Sequence, residues 1–542
     1  NQVSEVTRQS NEKILYKLKI DENTLNKRNV SAPPTEYGKK LMRESRLTVV
    51  KPAAAKGTDP VLTPQRDTLK KQDDFFQTEF GNEKTDTAKR SAGRTIEKSE
   101  PDNSNVLKRA KLYPYKPLKF SADYGSAGFT NSVLINRYQA YQFGSGPIML
   151  NSGSPLNGLV RLGTSDLMED IKITGGYKIG TNLKDNEWLL NYQNLKRRID
   201  WGLTYYRNTQ QQTFSLTSAG APPIFLNGKL FTNIYQANIT YPFDETKSIR
   251  FSSGIRSDNQ VLNASQQLPV TLVVDDERTL YSISHLEFVY DNSISPAMNI
   301  YNGARAKIFG DFNRQVNKVQ FADGPNTFNV GFDARYYYPI YKNFIWAGRA
   351  AGDFSFGSQK LIYYLGGVDS WLMFGGNTKN DGSDKYFNTN NPPSNDAEYA
   401  FQSLAVNMRG FIQNIANGNN ALVFNSEFRL PVFTTLFDKT INNAFIRNFQ
   451  VTQFTDFGTA WNGGLGNIKR PEIGYNTSAN PPFPGATTVR IKAGGVGPFA
   501  GGYGFGARTT LLGYFIKFDA GWPMSGFFRG KPVTYFSLGL DF

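Results

Sequence analysis

Few side chains in this 542-residue sequence are of the types that catalyse reactions or bind transition metals. There is no Cys, and His285 is the single His. Transition metals take thiolate and imidazole ligands, and imidazole carries much acid–base catalysis near neutral pH, so neither chemistry is expected. The acidic run Val274-Asp275-Asp276-Glu277 could hold Ca²⁺ in a surface loop. A solvated turn is the commoner role of such a run, and we expect no metal there.

One further pattern suggests chemistry but fits the wall of a sheet better. The stretch Gly501-Gly502-Tyr503-Gly504-Phe505-Gly506 has glycines spaced as in a nucleotide-binding loop, but no helical pattern follows it. No nucleophile has a partner base at a recognisable spacing. We therefore predict that the chain is not an enzyme and needs no cofactor, and we interpret His285 as a wall or rim residue.

The last nine residues carry the clearest structural pattern. Apolar and polar side chains alternate strictly, which predicts a strand with one face toward hydrocarbon and one toward water. The apolar set is Phe536, Leu538, Leu540 and Phe542, and the other set is Tyr535, Ser537, Gly539 and Asp541. Such a strand is typical of the closing strand of an outer-membrane barrel. An edge strand of a soluble sandwich is the alternative.

The alternation recurs along most of the chain. Aromatic residues make up 14% and mean hydropathy is −0.45, a combination that suits barrel strands and not helical membrane spans. The fold class predicted is all-β, an antiparallel transmembrane β-barrel of sixteen strands behind a mostly irregular N-terminal periplasmic segment. The strands are predicted near 118–124, 157–165, 170–179, 187–195, 199–208, 229–241, 247–258, 279–291, 301–313, 326–339, 343–356, 420–432, 444–461, 500–513, 514–523 and 534–542.

Composition divides the chain in two. Residues 1–110 hold only five of the 75 aromatic side chains. Residues 1–112 are therefore predicted to be a periplasmic linker or docking segment, and residues 113–542 the barrel. The stretch 74–80 is either an anchor on a partner or upstream domain, or a short local cluster. The longest loop is predicted at about 357–419, and a loop of that length implies a function or a partner. No signal peptide opens the chain, so we expect that its true beginning lies upstream.

The net charge of +15 does not indicate nucleic acid as a partner. Lys and Arg are interspersed with Asp and Glu along the chain and do not form one basic patch. A basic protein is equally suited to a position beside anionic lipid headgroups. We therefore predict outer-membrane lipid as a partner and exclude nucleic acid.

Several motifs in the last third occur in a fixed order. They are Met408-Arg409-Gly410-Phe411, Asn425-Ser426-Glu427-Phe428, Thr455-Asp456-Phe457-Gly458 and the terminal Phe542. In this order they resemble the outer-membrane protein assembly superfamily of sixteen-stranded barrels, which includes the BamA and TamA insertases, the two-partner secretion translocators and the bacterial surface antigens. An insertion of about forty residues separates Gly366-Gly367 from Arg409. With this insertion the chain resembles a Bacteroidota-type branch of the superfamily. In that branch the barrel often follows a periplasmic propeller domain.

The resemblance implies a contact inside the lumen. The loop bearing Arg409 would fold back so that its guanidinium reaches Glu427 and Asp456, which strand parity places on the non-lipid face. Gly410 would permit close approach to the wall and Phe411 would fill a gap. These five residues are predicted to form a lumen-loop latch. The latch is either a structural brace or the support of a loop needed for activity.

The resemblance also implies a role in inserting or exporting outer-membrane or surface proteins, as a subunit of a complex with periplasmic and outer-membrane partners. The periplasmic POTRA domains usual in the family are not seen in residues 1–110, which favours an accessory subunit. A weak seam between the first and last strands would receive the client. The predicted seam residues are Phe120, Phe536, Leu538, Leu540 and Phe542. The alternatives are a passive pore or transporter, and a structural barrel whose long loop binds a surface partner.

Overall fold

The computed structural model describes residues 2–9, 12–19, 111–113, 120–130, 134–135, 138–141, 146–148, 157–216, 224–263, 275–317, 324–437, 441–476 and 488–541. The predicted anchor at 74–80 and the terminal Phe542 lie outside this set. The chain divides into two compact units, one made of N-terminal residues and the other containing everything from Phe120 onward.

The N-terminal unit contains a three-stranded antiparallel sheet. Strand Gln2–Gln9 pairs with Glu12–Lys19, with Gln2 opposite Lys19 and Gln9 opposite Glu12. The second strand also pairs with Lys111–Tyr113. Tyr113 thus belongs to this sheet, and the first barrel strand begins at Phe120.

The second unit is an antiparallel β-barrel of sixteen strands, as the alternation predicted. In chain order they are β1 Phe120–Thr130, β2 Asn157–Asp166, β3 Ile171–Gly180, β4 Asn186–Asn194, β5 Asp200–Leu216, β6 Ile224–Pro242, β7 Lys247–Leu262, β8 Glu277–Asp291, β9 Ile300–Gln315, β10 Asn326–Tyr341, β11 Phe344–Gly357, β12 Asn420–Pro431, β13 Gln450–Trp461, β14 Phe499–Leu511, β15 Tyr514–Pro523 and β16 Val533–Leu538. The strand order closes with β16 beside β1, which rules out the soluble-sandwich alternative.

Side chains alternate between a lipid face and a lumen face. On β5, Trp201 and Leu203 are exposed, whereas Thr204 and Asn208 are buried inside. A soluble protein would cover such an apolar outer surface, and a membrane supplies that cover. No helix in the described part of the chain is long and apolar enough to cross a membrane.

The two ends of the barrel differ. At the terminal end, where β1 begins and β16 ends, most neighbouring strands are joined by short links such as 195–199 and 342–343, and the longest link there is 432–449. The opposite, loop end carries the long segments that follow β1, β11 and β13. This difference follows the usual division between short periplasmic turns and long outer loops.

Several predicted strand boundaries differ from the observed ones, and two of these differences have a clear local cause. The strand predicted at 444–461 begins at Gln450, because Ala444–Arg447 forms a helical turn whose first N–H groups are capped by the Asn443 side chain. The strand predicted to run to the last residue ends at Leu538. Gly539 and Asp541 adopt positive φ angles of 116° and 62°, which turn the chain out of the sheet.

Residues 358–419 form a folded body inside the barrel, here called the plug. Strand Lys360–Leu365 pairs in parallel with Tyr399–Leu404 and antiparallel with Ala416–Gly418. Gln139–Ala140, from the loop after β1, adds a fourth strand. Buried plug side chains pack against the lumen face of the wall, among them Leu361, Phe401, Met408 and Phe411 against Val423, Ala460 and Ala500.

Candidate functional site at the latch and the seam

Alternation along β12 and β13 places two carboxylates on the inside of the wall. Glu427 and Asp456 are fully buried, while their neighbours Phe424 and Phe428 are exposed on the lipid side. Arg508 on β14 and Asp519 on β15 face the same part of the lumen. A buried carboxylate is costly unless it is paired, so the position of this cluster implies a cationic partner.

Arg409 of the plug supplies that partner. Its Nε and Nη2 donate to the two oxygens of Asp456 at 2.7 and 2.9 Å, and its backbone N–H donates to Oδ2 at 2.9 Å. Its Nη1 donates to Glu427 at 2.5 Å. The guanidinium also stacks on Phe454, 3.8 Å from the ring centre. The structure therefore brings together the three charged residues of the predicted latch.

The electrostatics keep Arg409 charged. Burial by itself would lower its pKa, but the carboxylates of Asp456 and Glu427 hold the pKa well above its ordinary value. A guanidinium can serve two carboxylates at once with fixed geometry, which a Lys ammonium cannot. The contact is accordingly a specific one for Arg.

Gly410 and Phe411 continue the contact with the wall. A Cβ on Gly410 would lie 2.7 Å from the carbonyl oxygen of Trp522, and its φ of +92° also favours glycine. Opposite it, a Cβ on Gly502 would lie 1.8 Å from the Arg409 carbonyl oxygen. Phe411 is buried in the plug core. The glycine-rich pattern of β14 thus lets the plug backbone touch the wall.

The Gly502→Ala substitution is expected to displace the latch. The added methyl cannot fit without moving the Arg409 backbone, and overpacking of this kind costs about 1–3 kcal/mol. Faster proteolysis within the plug of the folded protein would measure the displacement. Gly466→Ala is the control, because no atom lies within 4 Å of a Cβ there. Equal proteolysis of the two variants would contradict the tight contact.

The charge network extends to the end of the chain. Arg429 donates to Glu427 at 2.7 Å and to Asp541 at 2.9 Å. Asp541 also accepts from Arg335 at 2.6 Å and from the Tyr337 hydroxyl at 2.5 Å. The turn after Leu538 thus carries Asp541 into the lumen, where β10 and β12 hold it. This contact was not predicted from the sequence, although the alternation places Asp541 on the polar face.

The predicted seam residues lie around β16. Phe536 is exposed on the lipid face opposite Phe518, Leu538 pairs with Ile516, and Leu540 lies in the turn after the strand. Phe120 on β1 is exposed and pairs with Asp166 of β2. Phe120 and Phe536 thus each pair with the neighbour on the side away from the seam.

The edges of β1 and β16 match poorly. Strand β1 has eleven residues and β16 only six. Phe129, near the loop end of β1, donates its N–H at 2.7 Å to the hydroxyl of Tyr514, the first residue of β15. A side chain of β15, the strand beyond β16, thus satisfies a main-chain donor of β1.

A short plug segment, residues 368–373, occupies part of the β16 edge and is here called the strap. Trp371 forms an antiparallel bridge with Ser537, and the Leu372 N–H donates to the Phe536 carbonyl at 2.8 Å. The Trp371 ring packs on Tyr535 at 4.7 Å between ring centres. The Tyr535 hydroxyl donates to the carbonyl of Phe411 at 2.6 Å, next to Arg409. The latch and the strap thus hold the same strand.

The single His lies on the wall. His285 on β8 contacts Asp311 on β9 with 2.6 Å between Nδ1 and Oδ1, and Asp311 also accepts from Tyr138 in the loop after β1. Both His285 and Asp311 line a cavity of about 350 Å³ between wall and plug. The position fits the predicted wall role, and the contacts tie a second loop to the wall.

Among known proteins, the chain is similar in fold to solved structures only at low sequence identity. No protein-family model and no curated protein matches the chain. Among solved structures it is similar to BamA from Haemophilus ducreyi lacking POTRA domains 1–3, with a TM-score of 0.42 and 14% identity over 82% of this chain and 75% of that one. It is also similar to CdiB from Escherichia coli, with a TM-score of 0.39 and 11% identity over 79% of this chain and 63% of that one.

Proposed function

We propose that this barrel lies in the bacterial outer membrane and assists the insertion or export of outer-membrane or surface proteins, without enzymatic chemistry. One observation supports this above all: part of the β16 edge pairs with the strap and not with a barrel strand. An exposed strand edge is a template for another strand. A barrel that needed only to be closed would bury that edge in its own wall.

The mechanism follows from what the strap covers. Withdrawal of Trp371 and Leu372 would free main-chain groups of β16, including the Phe536 carbonyl. An extended client segment could then pair with that edge by β-augmentation. Because unpaired main-chain groups are costly in lipid, the freed edge would favour capture of a strand. The strap would be a built-in occupant of the client site.

The latch would set when the strap can leave. Arg409 fixes the part of the plug around residues 409–411. In that part the carbonyl oxygen of Phe411 accepts a hydrogen bond from the hydroxyl of Tyr535 on β16. Movement of that segment would therefore disturb the pairing of β16. In this proposal the latch both braces the plug and supports the activity.

The partners proposed are those expected from the sequence. The N-terminal segment would lie in the periplasm and dock on other subunits of a complex, with a propeller domain upstream as one candidate. The lipid-facing wall would contact outer-membrane lipid, and no nucleic acid is involved. Isolation of the protein from native outer membranes would identify the subunits, and recovery without protein partners would count against the subunit role.

Depletion of the protein is the test of the biogenesis role. We expect the levels of one or more outer-membrane or surface proteins to fall before growth slows, because clients would lose their insertion site. A matched strain depleted of an unrelated barrel is the control. Unchanged levels of all such proteins would refute the proposed function.

The passive-pore alternative makes a different prediction. It requires steady conductance through the barrel, whereas the plug packs against the inner wall through residues such as Leu361 and Phe401. Conductance measured in planar bilayers separates the two. A stable open channel in the unmodified protein would favour the pore.

A further inference from the structure

The segment between β15 and β16, residues 524–532, folds back over the outside of the barrel and is here called the lip. The alternation of β14 and β15 directs Tyr503, Phe505 and Trp522 outward, since Arg508 and Asp519 on the same strands face the lumen. Phe527 and Phe528 of the lip pack on these outward aromatic rings. The lip therefore lies against the lipid-facing surface.

Main-chain polar groups of the lip are hydrogen-bonded to side chains of the barrel wall. The Tyr503 hydroxyl donates to the Gly526 carbonyl at 3.2 Å and accepts the Phe528 N–H at 2.5 Å. The Trp522 indole N–H donates to the Gly530 carbonyl at 3.2 Å. These bonds satisfy main-chain groups that would be costly to leave unpaired beside lipid.

One ring in this cluster projects away from the protein. Phe527 is 88% exposed although it contacts Phe528, with 4.5 Å between ring centres. Large aromatic side chains at the edge of a membrane are stabilised by the interface between acyl chains and headgroups. A projecting Phe that contacts other rings on a lipid-facing wall points to lipid as the group that covers it.

The height of the lip fits that interface. Tyr503 lies eight residues along β14 from Leu511 at the terminal end. With about 3.3 Å per residue and a tilt of about 40°, this separation is roughly 20 Å along the membrane normal, close to the roughly 25 Å of a barrel's apolar band. The aromatic cluster therefore lies at the loop-end margin of the hydrocarbon.

The charges of the lip are all positive. Arg529 and Lys531 are exposed, and within the described residues neither makes an ion pair. The two carboxylates on β15 and the tail, Asp519 and Asp541, face the lumen. Two cations beside an inserted aromatic ring are suited to phosphate groups of lipid headgroups.

We propose that the lip is a membrane-docking element, in which Phe527 enters the leaflet at the loop end while Arg529 and Lys531 bind the phosphates of anionic lipids there. This site is separate from the latch and the strap. It rests on the membrane placement in the proposed function and not on the role in insertion or export. It would anchor the chain just before β16 and select anionic lipid next to the seam.

Single-Cys labelling tests the proposal directly, because the chain has no Cys of its own. Phe527→Cys carrying a polarity-sensitive fluorophore would be reconstituted in phosphatidylcholine vesicles with or without phosphatidylglycerol. Asn380→Cys, at an exposed plug position, is the matched control. We expect brominated lipids to quench the label at 527 and not the label at 380. Equal quenching at the two positions would overturn the docking.

The lipid charge is tested on the same labelled protein. Spin-labelled phosphatidylglycerol should quench the 527 label more strongly than spin-labelled phosphatidylcholine, with a preference of roughly fivefold for each cation involved. The additional substitutions Arg529→Gln and Lys531→Gln should bring the preference close to one. A label that is quenched equally by the two lipids before these substitutions would overturn the proposal, leaving an ordinary aromatic girdle. Inorganic phosphate added in solution should not compete with the lipid.

Discussion

Replacing Arg409 with Ala is expected to release the plug and to destabilise the barrel by about 3–5 kcal/mol, the usual cost of removing one partner from a buried ion pair. The variant would leave Asp456 without its two guanidinium bonds and Glu427 without one of its three Arg partners. The loss of stacking on Phe454 adds to the effect. The same change should loosen β16, since Phe411 would no longer be fixed beside Tyr535.

The effect can be measured on the folded barrel. Trypsin should cut at Lys379 or Lys385 within the plug faster than in the unmodified protein, and the barrel should unfold in detergent at a lower temperature. Arg250→Ala is the control, because Arg250 makes an exposed ion pair with Glu287 on the wall. Arg409→Lys should resemble Ala more than Arg. Unchanged cleavage and unfolding in the Ala variant would show that Arg409 does not hold the plug.

A disulfide between strap and β16 is expected to abolish client insertion reversibly. Trp371 and Ser537 are directly opposite in an antiparallel bridge, where Cβ atoms lie about 4.5–5.5 Å apart. Trp371→Cys with Ser537→Cys can therefore form a disulfide with little backbone movement. Oxidised protein should lose client insertion in cells depleted of the unmodified chain, and reductant should restore it.

The matched control is a disulfide in a part of the wall that the proposed mechanism leaves in place. Asn191 of β4 and Thr204 of β5 are opposite and face inward, so Asn191→Cys with Thr204→Cys supplies such a bond. It should leave client insertion unchanged. The Trp371→Cys single variant controls for the lost aromatic ring. If the oxidised strap variant inserts clients as well as its reduced form, the strap does not cover the client site.

The strands were predictable because alternation is local. Each of the sixteen predicted segments overlaps an observed strand. A strand with one face toward lipid and one toward the lumen alternates apolar and polar residues, and six or more residues are enough to show this alternation. Two boundaries were wrong because a local conformation interrupted the sheet. Asn443 caps a helical turn before β13, and the positive φ of Gly539 ends β16. Neither event changes the alternation that the prediction used.

The plug and the strap were not predictable from local pattern. Lys360–Leu365 pairs in parallel with a strand that begins 34 residues after it ends, and its other neighbours come from distant segments. The bridge between Trp371 and Ser537 spans 166 residues. The charged residues of the latch could be named because their motifs resemble a family. Arg429, Arg508 and Asp541 complete the network, but alternation gives only the face on which each lies and not its partner across the lumen.

Capture of a client at β16 tests the central claim most directly. A photo-crosslinking amino acid in place of Phe536, which is exposed on the lipid side of the strand, would report what lies beside the seam. With the strap disulfide reduced, we expect crosslinks to segments of outer-membrane proteins, and with the disulfide formed we expect these crosslinks to disappear. Client crosslinks of equal strength in the two states would contradict the account, as would their absence in both.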